Sequence, residues 1–320
     1  MDIGIVGTNF ISEWFVAACR AGSGRVRPTA VCSRDAARGA EFAARMDLPR
    51  SFTTVEEMCE AVDAVYIASP TSAHHAQAMA AIEAGRHVLI EKEMAASDAE
   101  AEAIFAAAER RGVVAMEAAR HLHTPAFREF RRAIGDIGTV RYAHFEMLQY
   151  SSRYGRFLAG EHVNAFDPTL GNAAIVDIGF YPLSAALECF GTAPASQSGG
   201  SYWLHNGFEG GGSIQLGYER LLVDVAYSKI VSAVGATTVH GEEGTLTVNA
   251  VAEPSRVELH RRGQDPVVLV DTPPVTPADT MIHELDVFAD QVDAGRVDPH
   301  WRDISLAVRR IMDAHLASVR

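Results

Sequence analysis

Short apolar runs alternate with amphipathic stretches through the first third of the chain. Runs at 3–6, 29–32, 87–90 and 113–116, and the run DAVYIA at 63–68, read as strands. Strands that are apolar at nearly every position suit a parallel sheet buried on both faces. Between them, 11–21, 36–45, 73–84 and 98–111 carry helical patterns. Gly22-Ser23-Gly24 and Gly85 stop two of these helices, and Ser97 is placed to cap the last. Such alternation predicts a parallel sheet wrapped by helices.

The pattern changes near His121. A helix is expected over 124–134, then a longer alternating strand over 140–149, then an apolar helix over 173–190. From about 201 to 271 the chain reads as short strands at 213–218, 221–227, 237–240, 245–248, 256–260 and 267–270, several separated by glycine-containing turns. Helices over 278–294 and 304–318 follow. The expected architecture is an α/β Rossmann domain over 1–120, then an α+β domain over 121–320 with a large, mostly antiparallel open sheet. No internal repeat or low-complexity segment interrupts either part.

A hydrophobic fraction of 48% supplies ample core, so disorder is not expected. The 41 acidic against 28 basic residues give a net charge of −13, which argues against a nucleic-acid or anionic-membrane partner. Cys19, Cys32, Cys59 and Cys189 are scattered without a close pair, as in a protein of the reducing cytoplasm. No secretory signal is read in MDIGIVG, and no apolar run approaches the ~18–20 residues of a membrane span.

The first candidate chemistry lies between the first strand and first helix. Aligned on the dinucleotide fingerprint GxGxxG, Gly7 takes the first position, Asn9 the second and Ser12 the third. Gly7 supplies the tight turn. Asn9 is a conservative departure, because asparagine tolerates positive φ better than most residues. Ser12 is small enough for helix–strand packing. At the tip of the second strand stand Ser33 and Arg34, with Arg38 one helical turn later. Guanidinium groups here suit the 2′-phosphate of NADP, whereas an acid would grip the ribose hydroxyl of NAD. Asp35 takes that acidic role if the strand runs two residues longer, and solvated surface charge is the competing reading of the arginines.

Residues 63–94, DAVYIASPTSAHHAQAMAAIEAGRHVLIEKEM, make the reading specific. They resemble the glucose–fructose oxidoreductase, inositol dehydrogenase and MocA-type family. Ser69-Pro70-Thr71-Ser72-Ala73-His74 fills that family's TP-N-xx-H turn, and Gly85-Arg86-His87-Val88-Leu89-Ile90-Glu91-Lys92 its GKHVxxEK motif. Glu93 replaces the proline that follows, often through a cis bond. Met116-Glu117-Ala118, Gly171-Asn172-Ala173 and Asp177-Ile178-Gly179-Phe180-Tyr181 extend the resemblance over nearly the whole chain.

The resemblance implies reversible hydride transfer between NADP, expected ahead of NAD, and a sugar-like, polyol or diol substrate. Such chemistry needs a hydride carrier and a group to move the hydroxyl proton. Tyr181 is the implied proton donor and acceptor. Lys92 hydrogen-bonds the reacting oxygen and favours phenolate, and Asp177 orients substrate or lysine. Asp177 and Tyr181 stand four apart, so a helix places them on one face, able to meet Lys92 across a cleft. The candidate cofactor set is Gly7, Thr8, Asn9, Phe10 and Ile11 at the first turn, Ser33, Arg34 and Arg38 at the second strand tip, and Ser69, Pro70, Thr71, His74, Glu91 and Lys92. His74 is implied in the nicotinamide pocket. No metal is expected, because the near pairs His74/His75 and His121/His123 lack further ligands. The segment 149–154, QYSSRY, is open between substrate contact, loop anchor and dimer contact. A homodimer or homotetramer through the C-terminal sheet is expected. A non-catalytic dinucleotide sensor of the same fold is the rival reading.

Overall fold

The computed structural model describes residues 1–319, in two compact units. The first comprises Met1–His123 and Thr276–Leu306, the second Thr124–Val275 and the described residues from Ala307 onward. A single boundary near residue 120 therefore misses one feature: the chain returns to its first unit near the C-terminus.

The first unit holds β1 (Asp2–Val6), α1 (Phe10–Ala21), β2 (Arg27–Cys32), α2 (Ala36–Arg45), β3 (Arg50–Phe52), α3 (Val55–Cys59), β4 (Ala64–Ile67), α4 (His74–Glu83), β5 (His87–Glu91), α5 (Asp98–Arg111) and β6 (Ala115–Ala118). All its strand pairs are parallel, in the order β3-β2-β1-β4-β5-β6. Pleating divides β1, β2, β4, β5 and β6 between two cores. In β4, Val65 and Ile67 enter the core shared with α4 and α5, while Ala64 and Tyr66 enter the core shared with α1. Ser97 caps α5, its hydroxyl accepting from the Glu100 N–H at 3.3 Å. β3 and α3 were not expected; three residues and five residues are too short to show a period.

The second unit holds α6 (Pro125–Ala133), β7 (Val140–Leu148), α7 (Tyr154–Leu158), a π-helical turn Ile175–Gly179, α8 (Phe180–Phe190), β8 (Ser196–Trp203), β9 (Glu209–Gly217), β10 (Leu222–Ser228), β11 (Thr237–Gly241), β12 (Thr245–Val248), β13 (Arg256–His260) and β14 (Val267–Asp271). The sheet order is β14-β13-β12-β11-β7-β10-β9-β8. Among the described residues only β7 and β10 of this sheet pair parallel. One face is packed, as in β10, where Val223, Val225 and Tyr227 are buried and Leu222 is exposed. β8 was not read as a strand, because SQSGGSYW is a polar edge strand without alternation. The helix expected over 173–190 is π-helical at its start.

Two helices remain: α9 (Pro277–Ala294) and α10 (Pro299–Ser318). A capping box between Thr276 and Asp279 starts α9. Met281, Leu285, Phe288 and Ala289 of α9 complete the core around Phe15 and Tyr66. On the same helix Glu284 is fully buried, and neither carboxyl oxygen has a hydrogen-bond partner among the described residues. Burial, then the Glu91 carboxylate, push the Glu284 carboxyl well above the ordinary range, with Arg120 opposing.

A raised carboxyl pKa means that the folded protein holds a proton which the unfolded chain releases above about pH 4.3. The stabilising effect is complete below that value and is lost as pH rises toward the folded pKa. Glu284→Gln should therefore raise the melting temperature at pH 8, with a gain that shrinks toward pH 4. Thermal unfolding across that range checks this, and a gain independent of pH would refute the linkage.

Candidate active site

The first turn is built around one carbonyl. Gly7 has a φ of +114°, and a Cβ there would lie 2.8 Å from the Ala68 oxygen, so any side chain is excluded twice. Its N–H donates to the Cys32 carbonyl at 3.1 Å. Asn9 has a φ of −92°, so tolerance of positive φ is not why asparagine stands here. Asn9 instead caps α1, its Oδ1 accepting from the Ser12 N–H at 3.1 Å, while its Nδ2 donates to the Ala68 carbonyl at 2.8 Å. Ser12 is fully buried beneath it.

A cleft of about 790 Å³ opens over the carboxyl ends of β1, β2 and β4, where the strand order reverses. Gly7, Thr8, Asn9, Ser33, Arg34, Arg38, Ser69 and Pro70 line it. Thr53, Thr54, Glu56 and Gln77 line it too, and were missed because the first three lie on or beside the short α3. β2 stops at Cys32, so the condition for Asp35 to act as a strand-tip acid is not met. Its carboxylate caps α2, accepting from the N–H groups of Ala37 and Arg38 at 3.0 and 3.1 Å. A glycine cradle, a helix N-terminus and two arginines make the cleft fit a dinucleotide with a phosphorylated ribose.

The other cofactor candidates lie outside this lining. Phe10 is exposed and meets Trp14 edge-on, with ring centroids 4.9 Å apart. Ile11 packs against the core, and Thr71 begins a 3-10 turn. Glu91 ends β5 and accepts a hydrogen bond from the buried Tyr66 hydroxyl. Burial pushes the Glu91 carboxyl up; the Tyr66 hydroxyl and Lys92 oppose this.

His74 fastens the backbone beside Lys92. It is buried, with Nδ1 2.8 Å from the Glu93 carbonyl and Nε2 2.8 Å from the Ser69 carbonyl. A neutral imidazole carries one N–H, so both contacts are hydrogen bonds only in the imidazolium form. Burial lowers its pKa, and the two carbonyls counteract that. The Glu117 carboxylate accepts the Met94 N–H at 2.7 Å. The turn after Lys92 is thus held at consecutive residues, and the Lys92–Glu93 peptide bond is cis. His121 and His123 are also buried, His123 edge-on to Trp301.

In the second unit Asp177 lies within the π-helical turn and Tyr181 in the first turn of α8. The Ile175 N–H donates to the buried Glu209 carboxylate at 3.0 Å, which anchors the start of that turn. Burial pushes the Glu209 carboxyl up, and that N–H opposes it. The Asp177 carboxylate pairs with the Lys229 ammonium at 2.8 Å. Lys229 directly follows β10 and stands in no motif, so nothing in the sequence singled it out. Within 149–154, the Ser151 N–H donates to the Lys229 carbonyl and Tyr154 stacks on Phe157, an anchoring arrangement.

Residues 1–119 match the family model described as an oxidoreductase family with an NAD-binding Rossmann fold, and residues 127–247 match the GFO/IDH/MocA C-terminal domain. The chain belongs to the GFO/IDH/MocA oxidoreductase family. It is 35% identical to a Bacillus subtilis protein named scyllo-inositol 2-dehydrogenase (NADP(+)) IolU, over 97% of this chain and 94% of that one. It is 36% identical to the Escherichia coli oxidoreductase YgjR, over 99% and 94%. The 3-ketoreductase KijD10 from Actinomadura kijaniata, solved with NADP and TDP-benzene, superposes with a TM-score of 0.85 at 24% identity, over 100% and 98% of the two chains. That last likeness shows the shared fold. This family member is an NAD(P)-dependent oxidoreductase.

Because Asn9 both caps α1 and ties it to β4, Asn9→Ala should cost about 1 kcal/mol from the cap alone. Asn9→Gly restores the fingerprint glycine and keeps a tolerated cap, yet should also melt below wild type, since it loses the bond to Ala68. A glycine variant as stable as wild type in thermal unfolding would show that the tie contributes nothing.

Proposed function

We propose that this oxidoreductase interconverts a secondary alcohol and a carbonyl on a sugar-like or polyol substrate, with NADP(H) preferred over NAD(H). The observation that carries the cofactor preference is the lining of the cleft. Arg34 and Arg38 stand beyond the end of β2, and the nearby Asp35 carboxylate is engaged in capping α2. The substrate class draws on the relative named as an inositol dehydrogenase.

When bound, the nicotinamide carries the hydride, and the chain supplies the proton path. Tyr181 delivers a proton from Oη to the substrate oxygen in reduction and takes it back in oxidation. Lys92 donates a hydrogen bond from Nζ to the same oxygen. Asp177 accepts a hydrogen bond from a substrate hydroxyl and so orients the substrate. His74 and Glu117 act at one remove, holding the backbone at residues 93 and 94. These roles rest on the EK and DxGxY motifs.

We place the protein in the cytoplasm, as its free cysteines suit, and as a homodimer or homotetramer joined through the open face of the eight-stranded sheet. Exposed Tyr142 and Leu222 stand side by side on that face. No helix among the described residues is long and apolar enough to cross a membrane.

Arg34→Ala should weaken NADP binding by roughly 10–100-fold, the range for a hydrogen-bonded charge, and change NAD binding little. Calorimetry with both dinucleotides decides, and equal losses would make Arg34 a surface charge. Tyr181→Phe should lower turnover by roughly 10²–10⁴ and leave dinucleotide affinity unchanged. Lys92→Ala should be as severe, and the double variant should lose far less than the two combined. A panel of inositols, aldoses and diols with NADP provides the assay. Full activity in Tyr181→Phe would remove the tyrosine from the chemistry, and tight dinucleotide binding without turnover in wild type would favour a sensor.

A further inference from the structure

Lys229 takes no part in the proton path above, yet its surroundings are built for a charge. Its side chain is 6% exposed, whereas that of its partner Asp177 is 50% exposed. A desolvated ammonium is tolerated only where its charge and its N–H groups are compensated. Asp177 Oδ2 lies 2.8 Å from Nζ, and Nζ donates to the Ala165 carbonyl at 3.0 Å. The rings of Phe166 and Phe208 present their faces, with centroids 5.1 and 5.5 Å away.

These partners differ in how firmly they are held. Phe166 and Phe208 belong to a buried cluster with Phe157 and Val163, so the rings cannot turn aside without opening that cluster. The ammonium therefore has a fixed seat that does not depend on the carboxylate. Asp177, half exposed, docks against that seat. Its backbone is also constrained, because the π-helical turn is anchored through the Ile175 N–H on Glu209. An exposed aspartate ordinarily samples several rotamers, and here one is selected from below by a buried cation.

We propose that Lys229 is a positioning residue of this oxidoreductase, holding the Asp177 carboxylate in the single orientation in which it receives a substrate hydroxyl. This rests on the reading that Asp177 orients the substrate. The paired charges also present an incoming molecule with a neutral unit that accepts hydrogen bonds, which selects an uncharged hydroxylated compound over an anionic one.

The test is a double-variant cycle of Lys229→Met with Asp177→Asn, assayed with the best substrate of the polyol panel and NADP. Lys229→Met keeps the length of the stem and removes the charge. Lys229→Met should lower kcat/KM about 10- to 100-fold, the scale of a misplaced binding group. In the Asp177→Asn background the same change should cost no more than about twofold, and NADP affinity should stay within about twofold throughout. Lys229→Gln, which keeps a hydrogen-bond donor, should recover part of the loss and replaces methionine in the cycle if that variant fails to fold by circular dichroism. Equal losses in both backgrounds would overturn the proposal and leave Lys229 as support for the aromatic cluster. Unchanged kinetics in Lys229→Met would overturn it as well. Failure of the parent reading is separately visible: Asp177→Asn would then match wild type, or wild type itself would turn over nothing in the panel.

Discussion

The carbonyl oxygen of Ala68 is the point on which the cofactor half of the molecule turns. It receives the Asn9 amide, and its closeness to Gly7 forbids a side chain there. The Ala68 N–H in turn donates to Val6, and the Gly7 N–H donates to Cys32, so the end of β1 is tied to both neighbouring strands at once. The start of α1, the mouth of the cleft and the placement of Ser33 and Ser69 on its two sides follow from those ties. A parallel sheet leaves a crevice where its strand order reverses; these bonds give the crevice a fixed floor.

Much of this was legible before any coordinates. Apolar runs and helical periods located most strands and helices of the first unit, because those elements are long enough to show a period and are closed by recognisable caps such as Ser97. β3 and α3 escaped for want of length, and with them Thr53, Thr54 and Glu56 of the cleft. β8 escaped because an edge strand rich in serine and glycine has no apolar face. Asn9 was read in the right place for the wrong reason: capping explains it, and backbone tolerance does not. His74 was expected against the nicotinamide; that its ring also lies between two backbone carbonyls is visible only in the folded chain. Lys229 was invisible, since a lysine after an alternating strand looks like any solvated end. Only the folded chain shows that it is buried and what compensates it.

Desolvation recurs wherever these units present chemistry. Beside Lys92, Glu91 is hydrogen-bonded to Tyr66, and Glu284 lies buried within electrostatic reach of Glu91. In the second unit, Glu209 holds the turn that carries Asp177, and Lys229 holds its carboxylate. Each arrangement spends stability on an ionisable group withdrawn from water. In return the groups at the surface have few orientations left, and preorganisation of that kind makes an electrostatic contribution useful to a reaction.

The return of Thr276–Leu306 to the first unit bears on how the protein is made. Until α9 leaves the ribosome, the core around Phe15 and Tyr66 lacks Met281, Leu285 and Phe288. At ~5–20 residues per second the nascent sheet waits roughly 10–40 s for that helix, with an apolar face uncovered. The intervening second unit can complete most of its own sheet meanwhile. A chain cut short before Thr276 would carry every residue of the dinucleotide cleft and still lack the helix that closes its core, a form suited to chaperones and proteases rather than to catalysis.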